Sequence, residues 1–466
     1  MQIQIIRRAL AGAVLITFLA GCTTADRYKP CAERIIHETL THNDSWLKMQ
    51  ELCDGIGNRL SGSENLDKAV AWAAQTFERD GQENVHTEKT MVPHWVRGQE
   101  SATMVEPRLL NMAMLGLGGS VATPAGGITA PVVMVRDEAG LDALGDGAKD
   151  KIVLFDNVMP PFDDVHGSRY GETVKFRTKG ASLAAKKGAV ACLIRSVTAR
   201  SFRSPHTGAM HYDDGVAKIP AAAISTEDAD IISRLLERGQ KVVVRLKMEA
   251  HTEPDAPSAN VVAEIRGSER PEEVVVMGGH IDSWDVGQGA HDDGAGAVMC
   301  MEALNVLRKM NLHPRRTIRV VLFTNEENGL AGGKQYAKDH AAEVPNLIAA
   351  IESDSGGFAP ESVSVDCKDA DRQVRALAQV KDLARLIKPL GVRKISAGHS
   401  GADVGPMKEA GGMLMGFGTY GEKYFDYHHS QADTLDKENP QELSRCVASL
   451  AILTYVLADM PDRLGN

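Results

Sequence analysis

Residues 274–300 read VVVMGGHIDSWDVGQGAHDDGAGAVMC. The run Val274 to Met277 is uniformly apolar and short, which predicts a strand buried on both faces rather than one exposed on alternate residues. It ends in Gly279-His280-Ile281-Asp282, and a helix is predicted from about Gly294 to Met310, with Asp292 and Asp293 immediately before it. Working outward, VVAEI (261–265) precedes this unit, and TIRVVLF (317–323), a helix from about Ala331 to His340, and LIAAIES (347–353) follow it. Strands alternating with helices imply right-handed crossovers and a largely parallel sheet covered on both faces. The predicted fold class is α/β, a mixed, mostly parallel sheet flanked by helices.

Toward the N-terminus two helix-like stretches, about Pro30 to Cys53 and Asn65 to Asp80, flank the Gly/Ser-rich turn at residues 57–63. From about Leu109 the texture changes. ITAPVVMV, KIVLF, AVACLIR and KVVVRLKM are β-branched runs punctuated by Gly and Pro. This predicts a strand-rich second domain inserted at 109–253 into a core made of 23–108 and 254–466, with the Pro-containing stretch His251 to Ser258 marking the insert's end.

The chain has 466 residues, enough for two or three domains. Its formal charge is -10 and it has no long Lys/Arg block, which excludes nucleic acid as a partner because phosphate binding needs clustered cations. At the N-terminus Arg7 and Arg8 precede the apolar stretch Ala9 to Ala20, followed by Gly21-Cys22, the pattern of a secretory signal over residues 1–22. Cys22 resembles the acceptor of a bacterial lipoprotein box. The expected location is the cell envelope, through a lipid anchor on Cys22 to the outer membrane facing the periplasm, or secretion. Six further cysteines have no metal-knuckle spacing and read as small buried hydrophobes, with Cys31 and Cys53 the pair to test for a disulfide.

Ligands of open parallel sheets bind beyond the carboxyl ends of the strands. There this sequence places His280, the Asp292-Asp293 pair, Glu326-Glu327 after TIRVVLF, and Asp354 after LIAAIES; near the C-terminus lie His428 and His429. Imidazole nitrogens with carboxylate oxygens are the mix that zinc accepts. Five such ligands with one carboxylate shared suffice for two ions, which together activate water and polarise a carbonyl. Of Glu326 and Glu327, one can ligate while the other moves the proton.

GGHIDSWDVGQGAHDDGAG, FTNEENG, IESDSGG and YHHSQADT resemble, in order and spacing, the co-catalytic zinc exopeptidases that include bacterial leucyl aminopeptidases and glutamate carboxypeptidases. The likeness extends to GNRLSGSENLDKA (57–69) and SPHTGAMHYDDGVAKIP (204–220), and it covers nearly all of the mature chain. It implies two Zn2+, with Asp292 bridging, His280 and Asp354 completing one site, and Glu327 and His429 the other. Glu326 is then the general base, and Asp282, two residues from His280, orients that imidazole. Where some relatives carry a Tyr that steadies the oxyanion, this chain has His428, so the donor stays open among His428, Tyr420 and Tyr424. The resemblance implies a protease-associated insert beside the active site, short peptides as substrates, carboxypeptidase or dipeptidase activity, and a homodimer.

Other readings stand beside this one. An aminopeptidase is the near alternative, and a one-zinc glutaminyl cyclase or a non-catalytic binding protein the more distant ones. The scattered His94, His166, His206 and His211 show no shared metal geometry. His399-Ser400-Gly401-Ala402-Asp403 lacks the strand-turn-helix elbow of a nucleophilic triad and reads as a substrate-contacting loop.

Overall fold

The structure is a computed structural model that describes residues 23–466, so the predicted signal and Cys22 lie outside the described residues. Two eight-stranded sheets organise the chain. The first has the order Glu83–Val96, His251–Ile265, Arg316–Phe323, Arg270–His280, Leu347–Ser353, Leu414–Thr419, Pro360–Asp366, Lys394–Ala397. Its centre is parallel, from Arg316–Phe323 across to Leu414–Thr419, and the antiparallel pairings lie outside that centre. The α/β class read from the sequence is the observed fold.

The apolar run at 274–277 is continuous because both faces are covered. Val275 and Met277 enter a core shared with the helices Thr24–Thr41, Ala295–Lys309, Ala370–Ile387 and Pro440–Asp459. Val274 and Val276 point the other way, to Phe323, Tyr336, Leu347 and Val404. Alternation of side chains along the strand thus divides one apolar run between two cores.

The Pro-containing stretch at 251–258 opens the strand His251–Ile265, which pairs with the strand Glu83–Val96. Only Val261–Ile265 has a second neighbour, so Pro254 and Pro257 lie where the strand has one partner and a missing N–H is tolerated. The first helical stretch is two helices, Thr24–Thr41 and Ser45–Cys53, parted by a short turn. Cys31 and Cys53 are unpaired, and both pack on the main core as small apolar side chains.

The second sheet is built from strands lying between Glu100 and Met248, and the helices Lys175–Lys186 and Thr226–Glu237 pack against it. Its strand Glu100–Glu106 starts ahead of residue 109, where the texture of the sequence changes. This layer is pinned to the first by the loop that follows His280. Trp284 is buried in the second sheet's core, edge-on to Trp95, and a Cβ on Gly118 would overlap its ring. Beside it Arg97 donates Nε and Nη2 to Asp285 at 2.7 and 2.6 Å. Among the described residues no helix is long and apolar enough to cross a membrane.

Because Trp284 joins the two layers, Trp284→Ala should destabilise the protein by about 3–5 kcal/mol. Thermal unfolding checks this, and a midpoint equal to the parent's would contradict the joint.

Candidate metal centre

The candidate ligands converge at the carboxyl edge of the parallel strands. His280 is the last residue of its strand, Glu326 and Glu327 follow Arg316–Phe323, and Asp354 follows Leu347–Ser353. Asp292 comes from the segment ahead of helix Ala295–Lys309; the Asp292–Asp293 peptide is cis. His429 has a positive φ of 59°, a conformation that non-glycine residues adopt mainly where the surroundings impose it. Two groups of ligand atoms result, His280 with Asp292 and Asp354, and Asp292 with His428 and His429. Both contain Asp292.

The distances show atoms aimed at common points rather than at one another. His280 Nε2 lies 3.3 Å from Asp292 Oδ1 and 3.8 Å from Asp354 Oδ1, while His429 Nε2 lies 3.2 Å from Asp292 Oδ2 and 3.0 Å from Glu327 Oε2. Yet His280 Nε2, Asp292 Oδ2, Glu327 Oε1 and Asp354 Oδ1 are buried without a hydrogen-bond partner. Buried polar atoms are nearly always paired, so four such orphans in one site fit bound cations.

Electrostatics say the same. Burial, then the charge of Asp292, lifts Glu327 to about 7. Burial likewise raises Glu326 well above the usual carboxylate range, with Asp354 and Glu327 adding to it. Burial opposes the imidazolium of His429, but Glu327 and Asp292 outweigh it and raise its pKa to about 9. So many acids in one buried place favour a multivalent cation, which removes their mutual repulsion.

The shell behind the ligands is carboxylate-to-amide. Asp282 accepts the amides of Glu326 and Glu327 at 3.0 and 3.4 Å. His280 Nδ1 meets the backbone carbonyl of Asp282 at 3.0 Å, closer than its carboxylate at 3.5 Å, so the side chain predicted to orient the imidazole chiefly holds the Glu326-Glu327 turn. Asp293 accepts the amides of His280 and Gly296 at 3.0 and 3.1 Å, and it fits only because Gly279 has no Cβ to strike its carboxylate. Asp433 accepts the amides of His291 and Asp292 at 2.8 and 3.1 Å. Arg59, fully buried, donates to the carbonyls of Gly57, Ile281, Gln288 and Gly289 and ties together the ends of the loop between His280 and Asp292. Neither Asp433 nor Arg59 was singled out from the sequence, although both lie inside the quoted motifs.

A cavity of about 700 Å³ opens over Asp292, Glu326, Glu327, Asp354 and His429. Its wall includes His428, Tyr424 and the loop residues His399 to Ala402. Tyr420 is not part of the wall, and its hydroxyl donates to Asp164 at 3.3 Å. The inserted layer supplies Tyr170, Arg177, Ala209 and His211. Of the scattered histidines, His206 backs the site: burial lowers its pKa to about 4, and the neutral ring's Nδ1 donates to the His428 carbonyl at 2.6 Å.

Imidazoles and carboxylates gathered at the rim of a parallel sheet, beneath a cleft sized for a small substrate, define a metallohydrolase. The sequence profile of Peptidase family M28 matches residues 260–454. Carboxypeptidase Q of Mus musculus is 43% identical over 442 residues, 94% of this chain and 91% of the mouse protein; that of Homo sapiens is 43% identical over 424 residues, 91% and 87% of the two chains. The crystal structure of a peptidase M28 precursor from Shewanella amazonensis SB2B superposes with a TM-score of 0.89 at 37% identity, covering 94% of this chain and 98% of that one. The zinc aminopeptidase of Bacillus subtilis shares the fold, at 20% identity, a TM-score of 0.64, and coverage of 90% and 96%. The chain belongs to peptidase family M28, among relatives of carboxypeptidase Q, and is a zinc-dependent metallo-exopeptidase.

Asp433→Asn would set an amide NH2 against one of the two N–H donors it now accepts. Loss of such a partner behind a ligand should weaken zinc binding about 10–100-fold. Competition with a chromogenic chelator measures it, and an unchanged affinity would show that Asp433 does not position Asp292.

Proposed function

We propose that this protein removes a terminal residue from dipeptides and other short peptides, using two zinc ions and Glu326. Asp292 is shared, His280 and Asp354 complete one ion's site, and Glu327 and His429 complete the other. The observation that carries this is the pair of ligand groups with Asp292 in common, surrounded by orphaned buried atoms. His429 is preferred over His428 for the second site because Glu327 lies 3.0 Å from its Nε2.

When bound, the ions supply Lewis-acid polarisation of the scissile carbonyl and activation of water. The rest falls to the chain. The Glu326 carboxylate faces the cavity on a turn whose amides Asp282 holds. It accepts a proton as water adds to the carbonyl carbon and delivers that proton to the amine nitrogen as the C–N bond breaks. His428 and Tyr424, on the wall beside His429, are the proposed donors to the developing oxyanion. Burial, then the neighbouring His429, holds the His428 pKa well below its ordinary value, so it serves as a neutral imidazole.

The second sheet, with strands between Glu100 and Met248, supports reading this region as a protease-associated-like domain that narrows access to the site. Export through residues 1–22, a lipid anchor on Cys22 at the periplasmic face of the outer membrane, and a homodimer complete the proposal; the first two rest on sequence pattern and the last on family resemblance.

Glu326→Gln should retain two zinc ions per chain while kcat on a free dipeptide falls at least about 100-fold. Retained activity would remove Glu326 from the mechanism. On the parent protein, chelator-sensitive cleavage of the dipeptide supports the proposal, cleavage of an aminoacyl-anilide would point to an aminopeptidase, and cleavage of neither to a binding protein.

A further inference from the structure

Most buried or half-buried arginines near the inserted layer have a fixed partner. Arg97 pairs with Asp285 and Arg195 with Asp156 and Asp230, while Arg59 is satisfied by backbone carbonyls. Arg177 is different. It sits in the first turn of helix Lys175–Lys186, is 8% exposed, lines the catalytic cavity, and makes no ion pair among the described residues. Its Nε is buried without a partner.

Its polar neighbours are neutral: a ring nitrogen, His429 Nδ1, 3.4 Å from Nη1, and the Tyr170 hydroxyl. That nitrogen also lies 3.4 Å from the Thr207 carbonyl. If Nε2 binds metal, Nδ1 carries the proton and directs it to the carbonyl, so it offers Arg177 no lone pair. The guanidinium is nevertheless held in place. The Tyr170 ring lies 5.4 Å from Cζ, and a Cβ on Gly208, where φ is 135°, would come within 2.6 Å of Cζ. A desolvated, positioned guanidinium with no carboxylate partner, in a substrate cavity, is a receptor for a planar anion, which its fork binds through two parallel hydrogen bonds.

We propose that Arg177 captures the free α-carboxylate of the substrate's last residue. This deepens the exopeptidase reading and rests on it. Arg177 touches a proposed metal ligand, so the proposal places a single residue between the captured carboxylate and the bond being cut. That geometry specifies release of the C-terminal residue and selects peptides with an unblocked carboxyl end. The inserted layer then supplies the specificity, while the first sheet supplies the chemistry.

The test compares alanyl-leucine with its C-terminal amide, which contains the same scissile bond, on zinc-loaded parent, Arg177→Gln and Arg177→Lys. The parent should prefer the free acid. Arg177→Gln should lose on the order of 100-fold in kcat/KM on the acid, mainly through KM, with little change on the amide. Arg177→Lys should recover part of the loss, with zinc content and thermal midpoint unchanged throughout. Equal treatment of acid and amide by the parent, or equal losses on both in Arg177→Gln, would overturn the assignment. Should Arg177→Gln fail to fold, inhibition of the parent by leucine against leucinamide decides it: the acid alone should inhibit competitively, and equal inhibition would contradict the anchor. A parent that cleaves neither dipeptide form refutes the exopeptidase reading instead, and calorimetric binding of leucine against leucinamide then tests Arg177 by itself.

Discussion

Asp292 is positioned through its backbone, which leaves its carboxylate uncommitted. Asp433 takes its amide, and Arg59 gathers the carbonyls of the loop that delivers it. The carboxylate lies in a buried place, Oδ1 3.3 Å from one imidazole nitrogen and Oδ2, which has no hydrogen-bond partner, 3.2 Å from another. The same device recurs around it. Asp282 holds the Glu326-Glu327 turn by its amides, Asp293 holds the end of the His280 strand, and Glu352 accepts the amides of Ala402 and Val404 at the cavity wall. Carboxylates that satisfy backbone donors free another set of carboxylates to face a cation.

The price of that arrangement is crowding of like charge, visible in the raised pKa values of Glu326, Glu327, Glu352 and Asp354. All four are raised chiefly by burial, with neighbouring carboxylates adding to it. Compensating positive charge relieves such a cluster, and a bound cation would supply it. Arg177 enters beside His429, carried by a layer fixed to the site through Trp284, Asp285 and the His206–His428 contact. The wall facing the metal centre is anchored to the same loops that carry the ligands.

The central strands and the ligand candidates were legible in the sequence because they obey local rules. An apolar run buried on both faces has no alternation, and each strand's last polar residues fall at the sheet's carboxyl edge. The edge ribbon was not legible, since Pro254 and Pro257 argue against a strand unless it is known to have a single neighbour there. Asp433 and Arg177 escaped for a different reason. Their roles exist only through partners 141 and 252 residues away, Asp292 and His429, and nothing local distinguishes them from a surface Asp or a helix-start Arg. Tyr420 shows the converse: proximity in sequence to the His428-His429 motif did not bring it to the cavity.

The central claim is that one carboxylate serves two ions. Anomalous X-ray scattering at the zinc edge from crystals of the zinc-loaded protein tests it most directly. The account predicts two peaks, each about 2.0–2.2 Å from an Asp292 oxygen, one also bound by His280 and Asp354 and the other by Glu327 and His429. A single peak, or a second peak bound by His428 in place of His429, would contradict it.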